Sequence, residues 1–209
     1  MPLFKKPQKI FSLNFAELIQ IIKGLFTASG KTWVFISEKN YPWRDVLIYF
    51  TIPMFFLSSY AGIFNVSPEL EHFNLPPNWM FLVIFTGTVL AIFLSSWMIT
   101  AMTPRFNGEK SFDKVFSLIS FSYTPVLFAS LISSLHTVLQ FMNFVGLVYM
   151  VFLLWRGTGL VLGIPAHKQT GYSLISLLIL FASRVVISAF LASLALVLTG
   201  NAQDILNQN

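Results

Sequence analysis

A single arginine, Arg184, lies inside the last long apolar segment of the chain, Tyr172 to Thr199. It follows Tyr172 by twelve residues, which is roughly 18 Å along a helix that rises about 1.5 Å per residue. The side chain cannot comfortably reach the lipid headgroups from that depth. Arg184 must therefore face the protein interior, a water-filled cavity or an anion.

The residues expected to bond Arg184 are polar groups at a similar depth in other apolar segments, because none of these segments contains a carboxylate. The nearest are Tyr123, Thr124 and Tyr149. Two interpretations remain open. Either these acceptors satisfy the guanidinium and it holds the bundle together, or they are too few and an anion such as a lipid phosphate completes the shell. Further acceptors at this depth are Ser58, Ser59 and Thr88, and the carbonyl of Phe121 is a somewhat shallower candidate.

A second arginine, Arg156, precedes three closely spaced glycines, Gly157, Gly159 and Gly163. Glycines four residues apart let a second helix approach closely, and an arginine near a helix end can extend to the headgroups. The pattern favours helix packing, with a binding groove for a headgroup or a partner as the alternative.

Two prolines, Pro53 and Pro125, lie near the middle of apolar segments and each removes one helical hydrogen bond. The released carbonyls are those of Tyr49 and Phe121. A kink closed by a neighbouring hydroxyl and a broken-helix binding site both fit this pattern.

Catalytic patterns are absent from the sequence. The three histidines are isolated, and no nucleophile or phosphate-loop motif occurs. There are no cysteines, which excludes disulfides and thiolate metal sites. We therefore expect no enzyme activity, no metal and no cofactor. The net charge is +5, but the basic residues cluster at the ends of apolar segments, which indicates anionic lipid headgroups as partners and not nucleic acid.

The elements that position these residues are transmembrane helices. The chain is 56% hydrophobic and only 10% charged, against about 25% charged in a soluble domain, which predicts an all-α polytopic membrane protein. Five spans form its transmembrane domain, residues 46–199. They are residues 46–64, 79–102, 115–135, 142–163 and 172–199.

The N-terminal region, residues 1–45, is predicted to be cytoplasmic and to contain an amphipathic interfacial helix over 13–29. Asn14 and Glu17 have the spacing of a helix cap, and Gly30 is the expected stop. The helix either lies along the membrane surface or packs its apolar face on the bundle. Residues 31–45 are expected to form a connector with Trp33, Tyr41 and Trp43 at headgroup level.

The orientation follows from the positive charges, because twelve of the 13 basic residues fall on one side of a five-span bundle. Arg184 is the exception. This predicts a cytoplasmic N-terminus and an extracytoplasmic tail, residues 200–209.

The run YMVFLLWRGTGLVLGIPAHKQ, Tyr149 to Gln169, resembles the Yip-one domain family of Ypt/Rab-interacting membrane proteins. Members carry an Arg-Gly near the cytoplasmic end of an aromatic and apolar run, followed by an apolar-Gly-apolar-Pro exit. The segment SFSYTPVL, Ser120 to Leu127, is similar to the family's proline-bearing span. The Asp-Leu-Tyr-Gly-Pro motif of eukaryotic members has no match, which favours a divergent prokaryotic-type member in a bacterial plasma membrane.

The resemblance implies a non-enzymatic scaffold for membrane organisation or trafficking that acts through its cytoplasmic face. The alternative is a transporter, channel or lipid-moving protein for an anionic species that uses Arg184. Self-association or a membrane-protein partner is left open in both.

We predict that a reporter fused after Asn209 is extracytoplasmic and that one inserted at Gly108 is cytoplasmic, because all basic connections fall on one side. Protease accessibility of the two fusions in sealed vesicles measures this. The reverse location of either reporter contradicts the five-span arrangement.

Overall fold

The computed structural model describes residues 13–62 and 75–199, and every regular element in this part of the chain is helical. Four helical stretches are long and apolar enough to cross a membrane, namely Pro77–Phe106, Phe112–Ser133, Val138–Leu162 and Ala166–Thr199. They correspond to four of the five predicted spans. The predicted leader, the connection at 63–74 and the tail at 200–209 lie outside the described residues.

We number the described α-helices in chain order. A π-helical turn, Leu47–Thr51, joins α3 to α4, and 3₁₀ turns follow α5 and precede α8. The helices are α1 (Phe15–Thr27), α2 (Ser29–Lys39), α3 (Trp43–Val46), α4 (Ile52–Gly62), α5 (Pro77–Met102), α6 (Phe112–Ser122), α7 (Thr124–Ser133), α8 (Phe141–Leu162) and α9 (Ala166–Thr199).

The predicted first span, 46–64, is divided between α3, the π turn and α4, and it is not among the four long helices. Pro53 has no N–H, so the usual bond to the carbonyl of Tyr49 cannot form. Just before it, the N–H of Ile52 bonds the carbonyl of Leu47, five residues back. The proline thus accompanies a local change of helical pitch. A transmembrane course for this segment remains a prediction, and its last two residues are outside the described part.

The N-terminal helix begins at Phe15, two residues after its predicted start. Its predicted cap is confirmed, because the side chain of Asn14 accepts a hydrogen bond from the N–H of Glu17 at 2.8 Å. Its predicted end at Gly30 is wrong. Only Ala28 separates α1 from α2, and Gly30 lies inside α2. The expected connector is therefore helical over Ser29–Lys39, and it ends at Asn40 in a left-handed conformation with φ of 47°.

Helix α6 lies in the middle of the bundle. Every residue from Val115 to Ser122 is buried, and α6 contacts α3, α5 and α8. The helix is interrupted before Pro125, so that α7 begins at Thr124. The carbonyl of Phe121 accepts a hydrogen bond from the Thr124 hydroxyl at 2.6 Å. A neighbouring hydroxyl therefore closes this interruption, as the kink interpretation expects.

Helices α5 and α9 form the most extensive helix pair among the described elements. Their contact uses small residues: Gly87 faces Ser188, and a Cβ at Gly87 would lie 3.3 Å from the Ser188 Oγ. Ala91, Ser95 and Ala192 are also buried. Small side chains let two helices approach closely where no hydrophobic force distinguishes protein from lipid.

Gly146 provides a similar close approach between α8 and α7. A Cβ at this position would lie 2.6 Å from the Cβ of Ala129 and 2.9 Å from the carbonyl oxygen of Pro125. A backbone carbonyl cannot swing aside as a side chain can, so α8 has to move away if a methyl group is added.

We predict that Gly146→Ala lowers the stability of the purified protein by about 1–3 kcal/mol through overpacking. Gly171→Ala is the matched control, because its Cβ meets only the Phe106 ring at 3.7 Å, an ordinary contact. Thermal unfolding in detergent compares the two. Equal melting temperatures for both variants contradict the proposed close approach at Gly146.

Candidate functional site

Arg184 lies on the inward face of α9, one turn after buried Leu180 and one turn before buried Ser188. The residue itself is half-buried. No hydrogen bond or ion pair joins its guanidinium to another residue of the described part. Five N–H donors inside an apolar environment therefore lack a protein acceptor among the described residues.

The predicted acceptors separate into two groups. Tyr123, at the interruption between α6 and α7, is close enough for the charge of Arg184 to act on its hydroxyl. Thr124 and Tyr149 instead donate their hydroxyl hydrogens to backbone carbonyls of other residues. Two further candidates also have other partners, because Ser58 bonds Ser130 at 2.6 Å and Thr88 bonds the carbonyl of Ile84 at 2.7 Å.

Tyr149 holds the C-terminal end of α1. Its hydroxyl donates to the carbonyl of Leu25 at 3.0 Å, and its ring stacks on Phe26 with a centroid distance of 5.7 Å. Phe26 also meets the edge of Phe128 in α7 at 5.8 Å. These contacts fix α1 to both α7 and α8.

Arg156 and Gly157 hold α2 in a comparable way. The Arg156 guanidinium lies against Gly30, where a Cβ would be 2.7 Å from Nη2. The indole of Trp33 lies against Gly157, where a Cβ would be 3.0 Å from the ring and would also collide with Leu118. The lack of a side chain at Gly157 thus makes room for a fully buried tryptophan.

The spacing of Gly159 and Gly163 predicts a close contact with a second helix. Their observed surroundings are different. Gly159 faces the side chain of Gln169, whose amide donates to the carbonyl of Ile164 at 3.1 Å. Gly163 ends α8 with φ of 67°, a conformation that glycine adopts without strain.

Helices α1 and α2 form a hairpin, and its open end is joined by an ion pair. Lys39 bonds Glu17 at 2.8 Å, and near the closed end Gly24 faces Thr32. Tyr41 is buried beside Glu17. Burial and, secondly, the Glu17 carboxylate raise the pKa of the Tyr41 phenol, so it stays neutral at physiological pH.

The apolar residues of α1 are divided between two neighbouring faces. Leu18, Ile21 and Leu25 are buried against the protein. Phe15 and Ile19 are 74% and 51% exposed, and Phe26 is 45% exposed. The helix therefore packs on the bundle and still presents an apolar stripe to its surroundings.

The aromatic residues of the N-terminal region are more buried than their sequence pattern predicts. Trp33 and Tyr41 are enclosed by protein and do not extend to the surface. Their position at headgroup level stays a prediction. Trp43 is half-buried and packs edge-on against Phe93, Phe112 and Phe116. Tight packing against glycine and aromatic partners cannot be distinguished from interfacial anchoring by composition alone.

These features define a polytopic helical membrane protein whose N-terminal hairpin is packed on its transmembrane helices. The family model of the Yip1 domain matches residues 23–188, which run from the C-terminal end of α1 through most of α9. The chain belongs to the Yip1 domain family. Comparisons with curated proteins and with solved structures give no significant match.

We predict that Tyr149→Phe loosens α1 selectively, because the Leu25 carbonyl loses its hydroxyl donor. The cost is about 1–2 kcal/mol, which raises local amide exchange of α1 about fivefold or more. Hydrogen–deuterium exchange measures this. Tyr172→Phe is the control, since that hydroxyl bonds Thr103 at 3.0 Å and is remote in sequence from α1. Equal acceleration of α1 in both variants contradicts the role of Tyr149.

Proposed function

We propose that this protein is a non-enzymatic scaffold that organises the membrane through its cytoplasmic face, and that the α1–α2 hairpin is the part that acts. The observation that carries the proposal is the apolar stripe of α1, formed by exposed Phe15, Ile19 and Phe26 together with partly buried Ile22. Their spacing of four, three and four residues places them on one helical face.

The residues beside the stripe support an interfacial position. Lys23 and Gln20 are exposed on the polar side of α1, and Lys31 is exposed on α2. An apolar stripe flanked by lysines is typical of helices that lie at the boundary between headgroups and acyl chains. The lysines then meet anionic headgroups while the phenylalanines enter the acyl region.

The fixed position of the hairpin gives this stripe a mechanical effect. A free amphipathic helix can leave the membrane, whereas α1 is held by Tyr149 and by the buried face of Leu18, Ile21 and Leu25. The stripe thus remains inserted in one leaflet only. Added volume in one leaflet favours a curved membrane. Such proteins therefore concentrate where the membrane is already curved in that direction.

We predict that the wild-type protein concentrates on narrow membrane tubes drawn from anionic giant vesicles, and that Phe15→Ser/Ile19→Ser removes at least half of this enrichment. The change replaces the inserted volume with polar side chains. Fluorescence of labelled protein on the tube and on the flat vesicle gives the ratio.

The matched control is Ala16→Ser/Gln20→Ser, which changes two exposed positions of the same helix that lie outside the stripe, on its polar side. The control should be enriched on the tubes as strongly as the wild type is. Equal enrichment of all three proteins contradicts the scaffold proposal. Spin labels can be placed at Ile19→Cys and Gln20→Cys, because the chain has no native cysteine. If the scaffold proposal is wrong, the two labels will be equally exposed to water.

Arg184 favours a second candidate function, the movement of an anionic species across the membrane. A half-buried arginine at mid-depth without a described acceptor is the arrangement that a passing anion needs. In liposomes, Arg184→Met should then abolish the flux of the anion across the membrane, while Phe15→Ser/Ile19→Ser leaves this flux unchanged. If the wild type shows no anion flux and Phe15→Ser/Ile19→Ser loses its enrichment on tubes, only the scaffold function is supported.

A further inference from the structure

An apolar groove of about 510 Å³ runs along the seam between α5 and α9. The α5 wall ends at Trp97, which is 64% exposed and lies toward the cytoplasmic end of that helix as predicted from the charges. No charged residue lines the groove. Its walls are Leu90, Phe93, Leu94 and Trp97 from α5, with Ile187, Phe190 and Leu191 from α9.

The groove passes the depth of Arg184. Gly87 faces Ser188, and α5 and α9 run in opposite directions as second and fifth spans. Four residues along each helix from this contact, Ala91 therefore lies opposite Arg184. Leu90 and Leu94, on either side of Ala91, both line the groove.

We propose that this seam binds a phospholipid, with an acyl chain in the groove and the phosphate at Arg184. Arg184 is half-buried, so part of its side chain is not covered by protein, and in the predicted span the surroundings at its depth are hydrocarbon. An arginine left bare there is unfavourable by at least about 2.5–3.5 kcal/mol on insertion scales, so a polar group must cover it.

The chemistry of the Arg184 guanidinium and that of the apolar groove together indicate which ligand binds. A free inorganic anion would satisfy Arg184 but would gain nothing from a wholly apolar groove. An uncharged lipid would fill the groove but leave the five donors unpaired. A phospholipid supplies both an apolar chain and phosphate oxygens, and arginine binds phosphate through two parallel hydrogen bonds.

Lipid binding at this seam does not require that the lipid be moved, so the inference stands apart from both functions above. Native mass spectrometry of the detergent-purified full chain, titrated with dioleoyl phosphatidylglycerol, measures it. We expect Arg184→Met to weaken retention at least about tenfold. Leu90→Trp, which fills the groove and keeps the arginine, should weaken it severalfold.

The matched control for Leu90 is Leu147→Trp, because these leucines are 47% and 50% exposed and Leu147 lies on α8 outside the groove. It should retain lipid as the wild type does, and circular dichroism confirms that each variant is folded. Unchanged retention in a folded Arg184→Met, or equal losses in Leu90→Trp and Leu147→Trp, overturns the proposal. Displacement of the lipid by millimolar inorganic phosphate also overturns it, because the site would then take a free anion.

Discussion

The hydrocarbon core of a bilayer offers no hydrogen-bond partner, and this absence explains how the hydroxyl groups of the second span are arranged. Most hydroxyl groups in the second span bond their own helix. The hydroxyls of Thr88, Ser95, Ser96, Thr100 and Thr103 each donate to the carbonyl four residues earlier at 2.6–2.7 Å. Small polar residues can therefore face neighbouring helices without leaving an unbonded donor, and close packing of α5 against α9 follows.

Hydropathy predicts the long spans because it detects the part of each helix that lies in hydrocarbon. The last span shows the limit of prediction from hydropathy. The apolar segment begins at Tyr172, whereas α9 begins at Ala166 and includes the polar residues His167 and Lys168. The backbone hydrogen bonds of the helix continue through these residues although their side chains are polar. For this span the boundary from composition therefore falls short of the observed helix, while the existence of the span is predicted.

The α1–α2 hairpin and the glycine contacts could not be predicted in the same way, since they depend on which helix faces which. Gly146 resembles any glycine in a span until α7 is placed against it. Trp33 has the composition of an interfacial anchor, but Gly157 and Leu118 enclose it. The Asn14 cap is predictable because its partner, Glu17, is three residues away. Contacts within one turn are encoded locally, and contacts between helices are not.

The two arginines of the bundle show how depth alone changes the requirement on one residue type. Arg156 is six residues from the end of α8, about 9 Å, and its guanidinium lies near the Phe152 ring at 5.9 Å. It can extend toward water while its stem packs on α2. Arg184 is 18 residues from the start of α9 and 15 from its end, about 27 and 22 Å. Neither end is within reach of its side chain. The described protein residues do not bond it, so the free energy of Arg184 depends on what the membrane itself supplies.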